Sequence, residues 1–182
     1  AYSAVVDAYS ANLTRTTPTA LSTERSGLAG ASVGNYALFA GGNTGSAYSA
    51  VVDAYSANLT RTTPTALSVA REYLAGTSVG DYALFAGGKR SYSSYSSVVD
   101  AYNTKLTRST PTALSAARDQ LAGASVGEYA LFAGGYTGSY FSAVDAYDTN
   151  LTHTTPAALS TGRADLAGAS VGDYALFAGG YT

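Results

Sequence analysis

His153 is the only histidine in the chain and the residue that most invites a catalytic reading. It follows Asp145 by eight residues, the interval at which Arg15, Arg61 and Arg108 follow Asp7, Asp53 and Asp100, so it occupies a recurring basic position that is expected to be solvated. With no second histidine and no cysteine, the side chains that build most transition-metal sites and thiol nucleophiles are missing. The aspartates Asp7, Asp53, Asp100 and Asp145 and the arginines Arg25, Arg71, Arg118 and Arg163 recur in step. In a weakly charged chain such groups are expected to satisfy backbone atoms or one another, which is a structural role. The acids that differ between copies, Glu24, Glu72, Asp119 and Asp165, each stand within two residues of the repeated arginine on different copies and do not form an evident general acid and base pair. The Gly-Gly pairs lack the Lys-Ser/Thr and helix start of a phosphate-binding loop and read as turn glycines. The expectation is a protein without catalytic, metal-binding or cofactor-binding residues, and not an enzyme.

Composition sets the wider limits. The 182 residues are 46% hydrophobic and 12% charged, too apolar and too weakly charged for a disordered chain, and enough for one substantial core. A net charge of -2 supplies no basic field for a nucleic-acid backbone or an anionic membrane surface, so neither is an expected partner. No apolar run reaches membrane-spanning length, and the first residues lack the basic-then-apolar pattern of a signal peptide, so the expectation is a soluble chain. The compartment stays open. Asn12, Asn58 and Asn150 each open an Asn-Leu-Thr glycosylation pattern, a weak signal in a Thr-rich repeat.

These residues are placed by a repeat. Ser-Val-Gly-x-Tyr-Ala-Leu-Phe-Ala-Gly-Gly occurs at 32–42, 78–88, 125–135 and 170–180, with starts 46, 47 and 45 residues apart. The Val-Asp-Ala-Tyr element moves in the same steps, so residues 1–182 read as a single array. Within one unit, 36–40 is a short apolar run stopped by two glycines, and 5–9 mixes β-branched and aromatic residues. Residues 28–33 form a small-residue strand, and the Thr-rich segment near 13–17, ended by Pro18, suits an outer edge strand. Four short strands in about 45 residues, with no helical period, predict an all-β array of antiparallel four-stranded units.

The glycine pair after an apolar strand, the later Val-Asp-Ala-Tyr strand and the arginine before the small-residue strand resemble the kelch repeat. Where kelch repeats carry a tryptophan after the tyrosine, this chain has Leu13, Leu59, Leu106 and Leu151. The resemblance implies a kelch-like β-propeller with four blades per chain, each of four antiparallel strands. It also implies that the sequence begins at the third strand of a blade and stops after the second, with the two chain ends completing one blade. The ring is either a four-bladed monomer or an eight-bladed homodimer, and the thin, alanine-rich faces favour eight.

The copies differ most in two regions, the segment after Gly-Gly and the segment around the repeated arginine. In the implied strand order both emerge on one side. Tyr73, Lys89, Arg90, Tyr92, Tyr95, Tyr136, Tyr140 and Phe141 give that side the tyrosine-rich chemistry of adaptable recognition, for a protein or glycan ligand. The expected function is a noncatalytic binding scaffold that self-assembles. The alternatives are a carbohydrate-active or lectin-like site in the central funnel, and a designed or excised symmetric array with no natural ligand.

Overall fold

The computed structural model describes residues 1–182, and every regular element in it is a β-strand. Three complete sheets follow one another, each an antiparallel meander of four neighbouring strands. The first comprises Ala29–Val33, Tyr36–Ala40, Val52–Ser56 and Arg61–Thr62. The second comprises Ala75–Val79, Tyr82–Ala86, Val99–Asn103 and Arg108–Ser109, and the third Ala122–Val126, Tyr129–Ala133, Val144–Asp148 and His153–Thr154. A half-sheet stands at each end: Ala8–Tyr9 paired with Arg15–Thr16, and Ala167–Val171 paired with Tyr174–Ala178. The strand order implied by the resemblance is thus the observed one within each sheet. The outer strands are shorter than their Thr-rich segments suggested, and an unexpected hairpin, Lys89–Ser91 with Ser94–Tyr95, projects from the second sheet.

Side chains alternate across each sheet, so two faces bury different residues. In the first sheet Leu38 lies opposite Ala54 and Ala40 opposite Val52, which puts all four on one face. That face packs on Ala83, Phe85 and Tyr102 of the second sheet, and the second sheet repeats the arrangement against Ala130, Phe132 and Tyr147 of the third. Each wholly buried phenylalanine or leucine contributes about 1.5–3 kcal/mol by leaving water. Near the small-residue strands the sheets approach to backbone contact: a β-carbon on Gly76 would lie 2.4 Å from the Gly30 carbonyl oxygen, and one on Gly123 would lie 2.6 Å from that of Gly76. Only glycine permits this spacing.

The repeated leucines Leu13, Leu59, Leu106 and Leu151 sit in left-handed backbone, with φ of 63°, 63°, 60° and 63°. The turn that demands this is closed by the Leu59 N–H donating to the Ser56 carbonyl at 2.8 Å. A branched residue is strained there. Leu106 and Leu151 pack against the cores of the adjoining sheets, and that burial offsets the strain.

Candidate functional site

The repeated charges lie inside. Arg25 meets Asp53 at 2.8 Å, Arg71 meets Asp100 at 2.9 Å and Arg118 meets Asp145 at 2.7 Å, with all six side chains removed from solvent. Each arginine also donates to the carbonyl of its sheet's phenylalanine: Arg25 to Phe39, Arg71 to Phe85 and Arg118 to Phe132. The aspartates accept in turn from the backbone N–H of Ser22, Ser68 and Ser115. Burial pushes the Asp145 carboxyl up, but the hydrogen bonds from Ser115, Arg118 and His153 outweigh it and leave the group below its usual range. The two outermost members are not joined: Asp7 has only the exposed Arg15 at 3.5 Å, while Arg163 donates to the Phe177 carbonyl and meets no carboxylate.

His153 corrects the expectation of a solvated position. Its side chain is 16% exposed and its Nε2 lies 2.6 Å from Asp145 Oδ1, on the oxygen that Arg61 and Arg108 approach at 3.9 and 3.7 Å in the neighbouring sheets. A flat ring of this length fits over Tyr147, with centroids 5.1 Å apart, and carries the same contact. No group of three or more metal-binding side chains converges anywhere in the structure.

The two variable regions run side by side. Antiparallel bridges join Ser26 to Asn43, Glu72 to Lys89, Asp119 to Tyr136 and Ala164 to Tyr181, so every repeat brings the segment after Gly-Gly against the segment after the arginine. Lys89, Arg90, Tyr92 and Tyr95 belong to the projecting hairpin, where the Lys89 ammonium lies 5.4 Å from the Tyr92 ring and Tyr92 is 90% exposed. Tyr136 and Tyr140 are bridged across their own turn with rings 5.3 Å apart. Phe141 differs from the rest of this set: its ring lies 6.0 Å from the Arg118 guanidinium, so it also covers the buried ion pair.

Tyr73 belongs to a second feature that sequence reasoning only partly reached. Gly27, Tyr73, Gln120 and Asp165 occupy one repeat position, all with φ between 53° and 63°. The Tyr73 N–H donates to the Gly27 carbonyl at 2.9 Å, Gln120 to Tyr73 at 3.0 Å and Asp165 to Gln120 at 3.0 Å, a ladder that steps from sheet to sheet. With the leucines that follow them, these four line a shallow cavity of about 280 Å³. Gln120 Nε2 donates to Asp165 Oδ2 at 2.9 Å across it. The available signal was variation among copies: one position holds glycine, tyrosine, glutamine and aspartate, between an arginine two residues before it and a leucine directly after it that are the same in all four.

Asp119, beside this rim, is almost fully buried and its Oδ1 has no hydrogen-bond partner. Burial raises its carboxyl to about 6; Lys89 opposes the shift, and Asp165 and Glu72 add to it. A carboxyl raised on folding binds extra protons between its unfolded and folded values, so its contribution to stability declines as pH rises through about 6. Asp119→Asn is therefore expected to melt higher than the parent at pH 7.5, and that advantage should shrink by pH 4.5, where Asp119 is itself neutral. Thermal unfolding followed by circular dichroism at the two pH values measures this.

No protein-family model matches this chain, and neither does any curated protein. The fold and the site define the class directly: an all-β repeat protein of successive four-stranded antiparallel sheets, with a constant charged interior and a variable loop end.

Proposed function

We propose that the chain is a noncatalytic recognition scaffold, its sheets the blades of a kelch-like propeller, whose variable loop end binds a protein or glycan. The observation that carries this reading is the pairing of the two variable segments in every repeat, above an interior that scarcely changes. Tyr73, Tyr92 and Tyr140 are 48%, 90% and 43% exposed there, a cluster of solvent-facing aromatic rings at one end of the sheets. The Gln120–Asp165 pair beside Tyr73 favours the glycan arm, since an amide and a carboxylate next to an aromatic ring suit sugar hydroxyls and a sugar's apolar face.

Screening the protein on glycan and protein arrays tests the reading. A specific ligand should bind at least about tenfold more weakly when Tyr73, Tyr92 and Tyr140 are all replaced by alanine, with the melting temperature nearly unchanged, because interface tyrosines concentrate binding energy. Absence of any specific ligand on both arrays removes the reading.

A further inference from the structure

The rim at the loop end gathers negative charge that the protein leaves unpaired. The buried aspartates Asp53, Asp100 and Asp145 each meet a buried arginine, whereas no arginine, lysine or histidine comes within ion-pair distance of Glu72, Asp119 or Asp165. Glu72 is placed by its neighbours: a β-carbon on Gly27 would lie 3.5 Å from Glu72 Oε2 and 3.5 Å from Tyr73 Cδ1, so carboxylate and ring flank the same edge of the cavity of about 280 Å³. Asp165 lines that cavity as well, and accepts from Gln120 Nε2 at 2.9 Å. Asp119 is 3% exposed and its Oδ1 meets no donor. Asp165 and Glu72 add to the burial that raises its carboxyl, so all three acids lie within electrostatic reach of one another. Lys89 opposes that shift, yet its ammonium lies 5.4 Å from the Tyr92 ring and forms no ion pair.

Carboxylates spread round an open cavity call for a cation, and the half-exposed Tyr73 ring attracts the same charge through its π-face. One metal ion does not fit, because no three of these side chains converge on a point. The charge is matched instead by an organic cation with some breadth. Leu74 and Leu121 give the cavity an apolar side, and its volume falls just below the roughly 300–1,000 Å³ of pockets that enclose drug-sized ligands, which leaves room for about one ring.

We infer that this cavity takes a sugar ring carrying a protonated amino group, with the ring against Tyr73, its hydroxyls on the Gln120–Asp165 pair and its ammonium among the unpaired carboxylates. The inference rests on the recognition reading above and names the ligand class for that end of the molecule. A neutral sugar uses the amide and carboxylate pair but leaves the surrounding charge unmatched, and an acidic sugar is repelled by it. A lysine side chain matches the charge but lacks the hydroxyls that a broad, shallow cavity with an amide beside a carboxylate can hold. The contacts used here all join neighbouring repeats within the chain, along the ladder from Gly27 through Tyr73 and Gln120 to Asp165.

Titration of the isotope-labelled 182-residue chain at pH 6 with the β-1,4-linked tetramer of glucosamine should move the amide resonances of Tyr73, Gln120 and Asp165. The matching tetramers of N-acetylglucosamine and glucose share the linkage but lack the cation, and should bind at least about tenfold more weakly, since charge-assisted hydrogen bonds are the stronger ones. Asp165→Asn removes the charge while asparagine accepts the φ of 53°, and should weaken the glucosamine tetramer by about tenfold. Tyr73→Leu keeps apolar bulk but loses the π-face, and should weaken it by about fivefold. Asp81→Asn makes the same charge change at the exposed turn at the far end of Ala75–Val79 and should leave binding unaltered. Equal binding of the three tetramers overturns the inference, as does equal binding of tetralysine, or an effect of Asp81→Asn as large as that of Asp165→Asn. Should Asp165→Asn fail to fold, the comparison of the tetramers and tetralysine on the parent chain decides. A ligand found on the arrays by a chain that ignores the glucosamine tetramer removes this inference alone, whereas empty arrays together with unmoved resonances remove the recognition reading with it.

Discussion

Arg71→Ala is expected to lower the melting temperature by about 10 °C or more. The guanidinium is wholly buried, lies 2.9 Å from Asp100 and donates to the Phe85 and Val69 carbonyls at 3.0 and 3.2 Å. Truncation leaves the Asp100 carboxylate in the interior with the Ser68 N–H at 3.1 Å and only a distant contact to Arg108 at 3.7 Å. Removing one partner of a buried ion pair costs about 3–5 kcal/mol, because the remaining charge has lost both water and its counter-ion. At about 2–4 °C per kcal/mol for a domain of this size, the shift is large and easily measured by calorimetry. Arg15→Ala provides the contrast: its pair with Asp7 is 61% and 42% exposed, and within one chain it should change the melting temperature little. Equal effects from the two substitutions would contradict the structural role of the buried pair.

Gly76→Ala is the second large effect, expected to cost about 3 kcal/mol from a single methyl group, at the upper end of ordinary overpacking. The new β-carbon would lie 2.4 Å from the Gly30 carbonyl oxygen, and since that neighbour is backbone, relief requires the two strands to separate along the whole seam. Gly30 occupies the same repeat position but faces the open end, where a β-carbon meets nothing closer than 3.6 Å. Gly30→Ala should therefore leave a single chain folded. Chemical denaturation of the two variants separates the effects, and equal destabilisation by Gly30→Ala and Gly76→Ala would show that the close approach of Gly76 to the Gly30 carbonyl does not set the cost.

Much of the fold was legible because short-range rules suffice for it. The short apolar run at 36–40, the glycines that stop it and the breaks in the Thr-rich segment mark the strands without knowledge of any distant contact, and the kelch resemblance implied their order. The variable segments were legible as well, because four copies in one chain supply their own comparison. The site was less so. Tyr73 stood out as an exposed aromatic, but Gly27, Gln120 and Asp165 have little in common as residue types, and only the left-handed backbone and the ladder show them to be one rim. His153 was misplaced for a related reason: its repeat position marks it as basic, but whether that position points to water depends on where the sheet puts Asp145 and Tyr147.

By itself the sequence determined an all-β repeat of four short strands and the spacing of one arginine and one aspartate per copy, since these follow from periodicity, turn chemistry and counting, while the strand order was what the kelch resemblance implied. Only the tertiary structure decided which arginine meets which aspartate, how closely Gly30, Gly76 and Gly123 bring the sheets together, and that Asp7 and Arg163 are left over. The physical reason is that a local pattern fixes the side of a strand on which a side chain stands, whereas burial and charge pairing depend on the neighbouring sheet that the pattern does not name.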